Sequence, residues 1–282
     1  MTARVVTFGE IMLRLSPPGF ERLFQSPLLS ATFGGGEANV AVSLAQFGLD
    51  SVYVTRLPSH AIGDAAVRAL RAEGVRTDRI VRGGSRLGIY FAETGASQRA
   101  STVIYDRAHS AISEIEPDAI AWDEIMRGAA WFHVTGITPA LGANAAAATK
   151  AAIEAARRAG ARVSVDLNYR KKLWTEAQAQ QTMKPLMRGV NAVVANEEDL
   201  QSVLGVEVHG ANVTGGSLDR SAYRDAAMRV SRDFGPQLVA VTLRESVSAS
   251  DNGWSGVLWD AASSTFHESQ RYDVRLVDRI GG

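Results

Sequence analysis

The stretch Phe33-Gly34-Gly35-Gly36-Glu37-Ala38-Asn39 sets three glycines between an extended segment and a helix, a pattern suited to chemistry at the backbone. A glycine has no Cβ, so a ligand can lie close to the main chain. The first amides of the following helix are free donors at the positive end of its dipole. A small polyhydroxylated or anionic ligand fits such a turn, and a plain tight strand-to-helix connection would use the same glycines. The helix itself is legible, because Ala38, Val40, Ala41, Leu44, Ala45 and Phe47 recur at helical spacing and stop at Gly48.

Other chemistries find little support. The 282 residues include no cysteine, which removes disulfides, thiolate metal sites and cysteine nucleophiles. His60, His109, His133, His209 and His267 are scattered and form no ligand pair; His133, within a strand, reads as core. No nucleophile-elbow pattern for Ser-His-Asp hydrolysis is present. Thirty basic and thirty acidic residues cancel, so nothing points to nucleic acid or an anionic membrane. The N-terminus runs directly into Arg4-Val5-Val6-Thr7-Phe8-Gly9-Glu10, without an apolar leader, and no stretch is apolar enough to span a bilayer. A soluble cytoplasmic protein is expected.

The elements that must position the glycine turn alternate along the chain. Val5–Phe8 and Ser51–Thr55 read as strands, and a helix follows Gly63-Asp64 from about Ala65 to Glu73, closed by Gly74. Leu87–Glu93 and Ser101–Tyr105 read as two strands joined by a polar loop with no helix between them, an inserted hairpin that would serve as a lid. Alternation resumes with a strand at Ala130–Val134, an alanine-rich helix at about Ala143–Arg158, and a strand at Arg162–Asp166. A helix at Thr175–Arg188, a strand at Ala192–Val194, a short helix opening at Asn196, a helix from about Asp219 to Phe234 and a strand at Leu238–Thr242 follow. Repeated strand-helix units argue for a parallel sheet covered by helices on both faces. Gly253–Trp259, Ser264–Phe266 and Tyr272–Leu276 are too close together for intervening helices and are expected to be antiparallel.

Several of these segments together resemble the ribokinase-like, PfkB-type carbohydrate kinases, and among them the kinases of 2-keto-3-deoxygluconate. The resemblance rests on Phe8-Gly9-Glu10, Gly34–Asn39, Gly63-Asp64, Val103–Arg107, Asp166-Leu167-Asn168-Tyr169-Arg170-Lys171, Asn196-Glu197-Glu198-Asp199 and Asp278–Gly282, and it spans essentially the whole chain. It implies a three-layer α/β sandwich with a mostly parallel sheet, one kinase domain over residues 1–282, and a small β lid within about 11–33 and 86–107. It implies transfer of the γ-phosphoryl group of ATP, with Mg²⁺, to a sugar hydroxyl, a reaction governed by positioning and charge neutralisation. By the same resemblance the protein is expected to be a homo-oligomer.

The resemblance also assigns residues. Gly34 and Gly35 would lie against the sugar, with Tyr90 and Tyr105 offering flat faces and hydroxyls. Arg107 and Arg170 would grip a carboxylate, since guanidinium forks bind planar anions bidentately; this favours an acid sugar over fructose or another neutral sugar. Asn168, Asn196, Thr242, Arg244, Gly281 and Gly282 are expected on the nucleotide side, and Asp199 near Mg²⁺ through water. Asn196 to Asp199 equally fits a helix N-cap with an acidic first turn. Two departures stand out. Leu243–Ser248 replaces the family's usual glycine-containing loop. The Asp-Thr-x-Gly-Ala-Gly-Asp element, whose last Asp is the base, begins at Asp278, so that base is expected beyond Gly282 and the chain as written is expected to be short of it and of its C-terminal part. A noncatalytic sugar-binding module is the alternative from a different class.

Overall fold

A computed structural model describes residues 2–208 and 220–277. Gly281 and Gly282, the remainder of the Asp278–Gly282 element, His209 and the expected start of a helix at Asp219 lie outside the described residues. The chain runs β1 (Arg4–Phe8), β2 (Met12–Ser16), β3 (Ser30–Gly34), α1 (Gly36–Gln46), β4 (Asp50–Val54), β5 (Arg56–Leu57), α2 (Ala61–Ala72), β6 (Val81–Arg82), β7 (Ile89–Glu93) and β8 (Thr102–Asp106). It continues through α3 (Trp122–Met126), β9 (Trp131–Thr135), α4 (Ile137–Ala140), α5 (Ala143–Arg158), β10 (Arg162–Asp166), α6 (Glu176–Leu186), β11 (Ala192–Ala195) and α7 (Glu197–Asp199), which passes into a π-turn at Leu200–Leu204. The last elements are α8 (Arg220–Phe234), β12 (Leu238–Ser246), β13 (Asp251–Asp260), β14 (Thr265–Glu268) and β15 (Tyr272–Arg275).

A nine-stranded sheet has the order β14-β13-β12-β11-β10-β9-β1-β4, with β15 also pairing to β13. From β4 to β12 every pairing is parallel, and β13, β14 and β15 close one side antiparallel. Side chains alternate across a strand, and β4 shows what this builds. Val52 and Val54 point into one core with Trp122 and Ile125, whereas Tyr53 points into another with Ala38 and Ala41 of α1 and Val67 and Leu70 of α2. Helices therefore cover both faces, which makes three layers. On α5 the residues Ala145, Ala148, Ala152 and Ala156, at helical spacing, are fully buried. Their small side chains let this helix sit close to β9 and β10. His133 on β9 donates to or accepts from Ser164 Oγ at 2.9 Å, and burial pushes its pKa down to about 4, so the ring is neutral. No helix among the described residues is long and apolar enough to cross a membrane.

A separate four-stranded sheet, β3-β2-β7-β8, joins the two stretches read as lid strands. Its β7–β8 pair is the expected antiparallel hairpin, while β2 pairs β7 parallel and β3 antiparallel.

Two local expectations are corrected. Helix α2 begins at Ala61, not after Gly63-Asp64, because the His60 side chain caps it by accepting from the Ile62 amide. Gly63 lies inside the first turn, where a Cβ would meet the Pro58 carbonyl oxygen at 2.1 Å. The second concerns Leu243–Ser248, read as a loop after a strand ending at Thr242. Here β12 continues to Ser246, because β13 pairs with it without interruption from Leu238↔Asp260 to Ser246↔Asn252. Polar residues in that stretch mark the solvent side of a hairpin, not a loop.

Candidate active site

Ligands of parallel α/β sheets gather outside the carboxyl ends of the strands. At that edge β1 ends in Gly9-Glu10, β9 in Thr135, β10 in Asp166-Leu167-Asn168 and β11 in Asn196, with Thr242 following on β12. The turn from β3 into α1 lies over this edge. Gly35 is the N-cap of α1, in extended conformation, and no side chain caps it. A Cβ on Gly35 would stand 2.0 Å from the Glu10 carbonyl oxygen, and one on Gly34 would stand 2.9 Å from the Tyr90 hydroxyl. The glycines are thus demanded first by close packing of the protein against itself, and the turn lines the cleft with its other side. Gly35→Ala should therefore cost stability by about 1–3 kcal/mol through overpacking. Gly36→Ala, whose Cβ would have no neighbour nearer than 3.4 Å, should be milder. Denaturant unfolding of the two variants side by side checks this; equal effects would refute the packing reading.

The cleft in front of the turn has a volume of about 260 Å³. Six of the residues assigned to sugar binding meet there: Gly34, Gly35, Tyr90, Tyr105, Arg107 and Arg170. The Tyr90 and Tyr105 rings lie 6.0 Å apart; Tyr90 is buried and Tyr105 half-exposed. Asn168, expected on the nucleotide side, lines this cleft too. It takes a left-handed backbone at φ 40°, which Asn tolerates better than most residues. Arg107 is nearly buried and its Nη2 donates to Glu10 Oε2, while its Cζ stands 5.4 Å from the Tyr105 ring centroid. Arg170 differs: it is exposed, and its Nη1 donates to the neutral Tyr169 carbonyl at 2.8 Å. A larger adjoining cleft of about 700 Å³ shares Tyr105, Arg107 and Arg170 and adds Lys171, Lys172 and Glu198.

Acidic groups crowd the strand ends. Glu37 is buried and its Oε1 accepts from the Thr135 amide at 2.9 Å, Thr135 Oγ1 at 2.8 Å and Thr138 Oγ1 at 2.7 Å. A Cβ on Gly9 would fall 2.2 Å from its carboxyl carbon, so Gly9 makes room for it. Burial raises the Glu37 pKa despite those donors. Asp166 is pushed up to about 7, chiefly by burial and then by the charges of Asp199 and Glu37. Asp199 is also raised by burial, although its oxygens accept from the Tyr169 amide at 2.7 Å and the Asn196 amide at 3.0 Å. Asn196 Oδ1 in turn accepts from the Asp199 amide at 2.8 Å. The N-cap reading of Asn196–Asp199 is realised as a capping box, and Asp199 ties the 168–170 segment to it.

The remaining nucleotide-side residues are dispersed. Thr242 Oγ1 makes only a long contact of 3.4 Å to the Ala195 carbonyl. Arg244 stands on β12, donates to Asn252 Oδ1 at 3.0 Å and faces a depression beside Ser97 and Ala249. Neither lines the two clefts above. In the sequence Glu10, Glu37 and Asp166 each stand beside a turn glycine or at a strand end, and nothing there marks them as buried site residues.

The family model described as pfkB family carbohydrate kinase matches residues 2–243. A 2-dehydro-3-deoxygalactonokinase of Haloferax volcanii is 34% identical over 281 residues, covering 100% of this chain and 81% of the relative. A fructokinase of Klebsiella pneumoniae is 30% identical over 216 residues, 73% of this chain and 64% of that protein. Among solved structures, a 2-dehydro-3-deoxygluconokinase from Thermotoga maritima superimposes with a TM-score of 0.93 at 50% identity, covering 98% of this chain and 82% of that one.

Proposed function

This chain belongs to the pfkB family of carbohydrate kinases, and we propose that it transfers the γ-phosphoryl group of ATP to 2-keto-3-deoxygluconate or a closely similar acid sugar. The observation that carries this reading is the convergence of Tyr90, Tyr105, Arg107 and Arg170 with the Gly34-Gly35 turn on one cleft of about 260 Å³. The sugars named by the Haloferax volcanii and Thermotoga maritima relatives differ in the configuration of a hydroxyl and share a carboxylate. Arg170 is the group that would meet that carboxylate.

Each part of the cleft has a task. The glycine turn offers backbone to the sugar, the two tyrosines offer flat walls, and β7 and β8 cover the site from water. The larger cleft, with Lys171 and Lys172, has room and charge for a polyphosphate beside the sugar. Mg²⁺ would neutralise charge developing on the transferred phosphoryl group. No group of three or more His, Cys, Asp or Glu that could enclose a metal lies among the described residues. A Mg²⁺ carried on the nucleotide would be held largely by phosphate and water, with Asp166 at the end of β10 and Asp199 after β11 as carboxylates at the strand ends. Exposed Phe20, Phe24, Leu28 and Ile104 on and beside the four-stranded sheet support a homo-oligomer, and use of ATP without any cysteine suits the cytoplasm.

A neutral-sugar kinase is the second reading, favoured by the ion pair that takes up Arg107. ATP consumption by the protein on 2-keto-3-deoxygluconate, its galacto epimer and fructose separates the two. Arg170→Ala should weaken the acid sugars about 10- to 100-fold, the worth of a charge-assisted contact, and barely change fructose. Turnover of fructose alone, or equal losses on all three sugars, would overturn the acid-sugar reading. Binding measured by titration needs no catalytic base, so it reads the sugar site apart from turnover.

A further inference from the structure

Glu10 is 2% exposed at the floor of the sugar cleft, an unusual place for a carboxylate. Its Oε2 accepts from Arg107 Nη2 and its Oε1 accepts from Ser110 Oγ at 2.7 Å. The backbone is shaped around it, for a Cβ on Gly88 would approach Oε1 to 2.8 Å and the Arg107 Cβ to 3.3 Å. Arg107 is held from two sides, by this carboxylate and by the face of Tyr105, and its buried Nε has no hydrogen-bond partner among the described residues. A carboxylate pressed against a guanidinium cancels most of its field as seen by a third ion. Arg170 is bonded to a neutral carbonyl, and the carboxyls that act on it, Asp166 and Asp199, form no ion pair with it among the described residues and are both pushed toward the protonated form by burial, so its charge is cancelled less than that of Arg107.

We propose that Glu10 is a positioning and specificity residue of the sugar cleft: it fixes the Arg107 fork and cancels its charge, leaving Arg170 to draw the single carboxylate of the sugar. The inference rests on the acid-sugar reading of the same cleft. Its chemical sense is selectivity, since two guanidiniums without a directly paired carboxylate in so small a cleft would hold any passing anion, inorganic phosphate included.

The test is titration of wild type, Glu10→Gln and Glu10→Asp with gluconate as a carboxylate probe and sorbitol as its neutral counterpart. Glutamine can still accept from Arg107 and bond Ser110 but removes the charge, so Glu10→Gln should bind gluconate on the order of ten-fold tighter, with sorbitol unchanged. Glu10→Asp keeps the charge and should stay within a few-fold of wild type. If Glu10→Gln folds weakly, the rise in melting temperature produced by gluconate is read instead and should exceed that of wild type. Gluconate binding to Glu10→Gln that is no tighter than to wild type, including none to either, overturns the proposal. A gain in Glu10→Gln in a protein that phosphorylates only neutral sugars would uphold the charge role and defeat the acid-sugar reading; turnover of the acid sugar without that gain would do the reverse.

Discussion

Arg107→Ala is expected to destabilise the fold by about 3–5 kcal/mol, far more than the usual arginine truncation. The reason is what it leaves behind. Glu10 is 2% exposed and would lose its only ion-pair partner among the described residues, keeping the Ser110 hydroxyl as a neutral donor. An isolated carboxylate in that position is either desolvated or protonated, and both cost free energy. The Tyr105 face would lose its stacked cation as well. Denaturant unfolding of Arg107→Ala, Glu10→Gln and the double variant measures the coupling. The double variant should recover part of the loss, because the orphaned charge is gone. A single-variant loss below about 1 kcal/mol would class the pair with solvent-screened surface pairs and remove the physical basis for a fixed Arg107.

The opposite sign is expected at Asp166. Its pKa in the fold is pushed up to about 7 by burial, then by Asp199 and Glu37, with Arg170 and the Asn168 amide opposing. A carboxyl group whose folded pKa is raised binds its proton more tightly in the fold than in the unfolded chain. Stability from this group is therefore intact below the unfolded value of about 4 and declines as pH rises from there to about 7, after which the loss is complete. Asp166→Asn removes the charge and keeps a carbonyl acceptor for the Asn168 amide. The ligand-free variant should be more stable than wild type above about pH 8, by an amount on the order of 3–4 kcal/mol, and indistinguishable near pH 4. Thermal unfolding across that pH range decides it: a pH-independent difference would show that packing, not ionisation, separates the two proteins. Such a gain would be typical of a site where electrostatic strain serves a ligand, here a bound cation or the Arg170 side.

The parallel sheet and most helices were legible because each rests on local periodicity. The α5 helix at Ala143–Arg158 and the β10 strand at Arg162–Asp166 match the pattern residue for residue. Where local signals misled, a partner in space was responsible. The polar run Leu243–Ser248 reads as a loop until β13 lies beside it, and Gly63-Asp64 reads as a turn until His60 caps the helix in front of it. The four-stranded sheet needed two distant stretches: β7 and β8 announce themselves by alternation, but β2 and β3 complete their sheet only through pairing that no local pattern encodes.

Residue types and order along the chain determined by themselves the α/β class and the glycine turn, because backbone preference is a property of short segments, while the candidacy of Tyr90, Tyr105, Arg107 and Arg170 came with the resemblance to the pfkB carbohydrate kinases. Tertiary structure alone decided how those candidates differ. It buried Glu10 against Arg107, left Arg170 exposed, and set Asp199 and Glu37 near enough to Asp166 to raise its pKa. Electrostatics depends on distance and on exclusion of water, and neither is written in the order of residues.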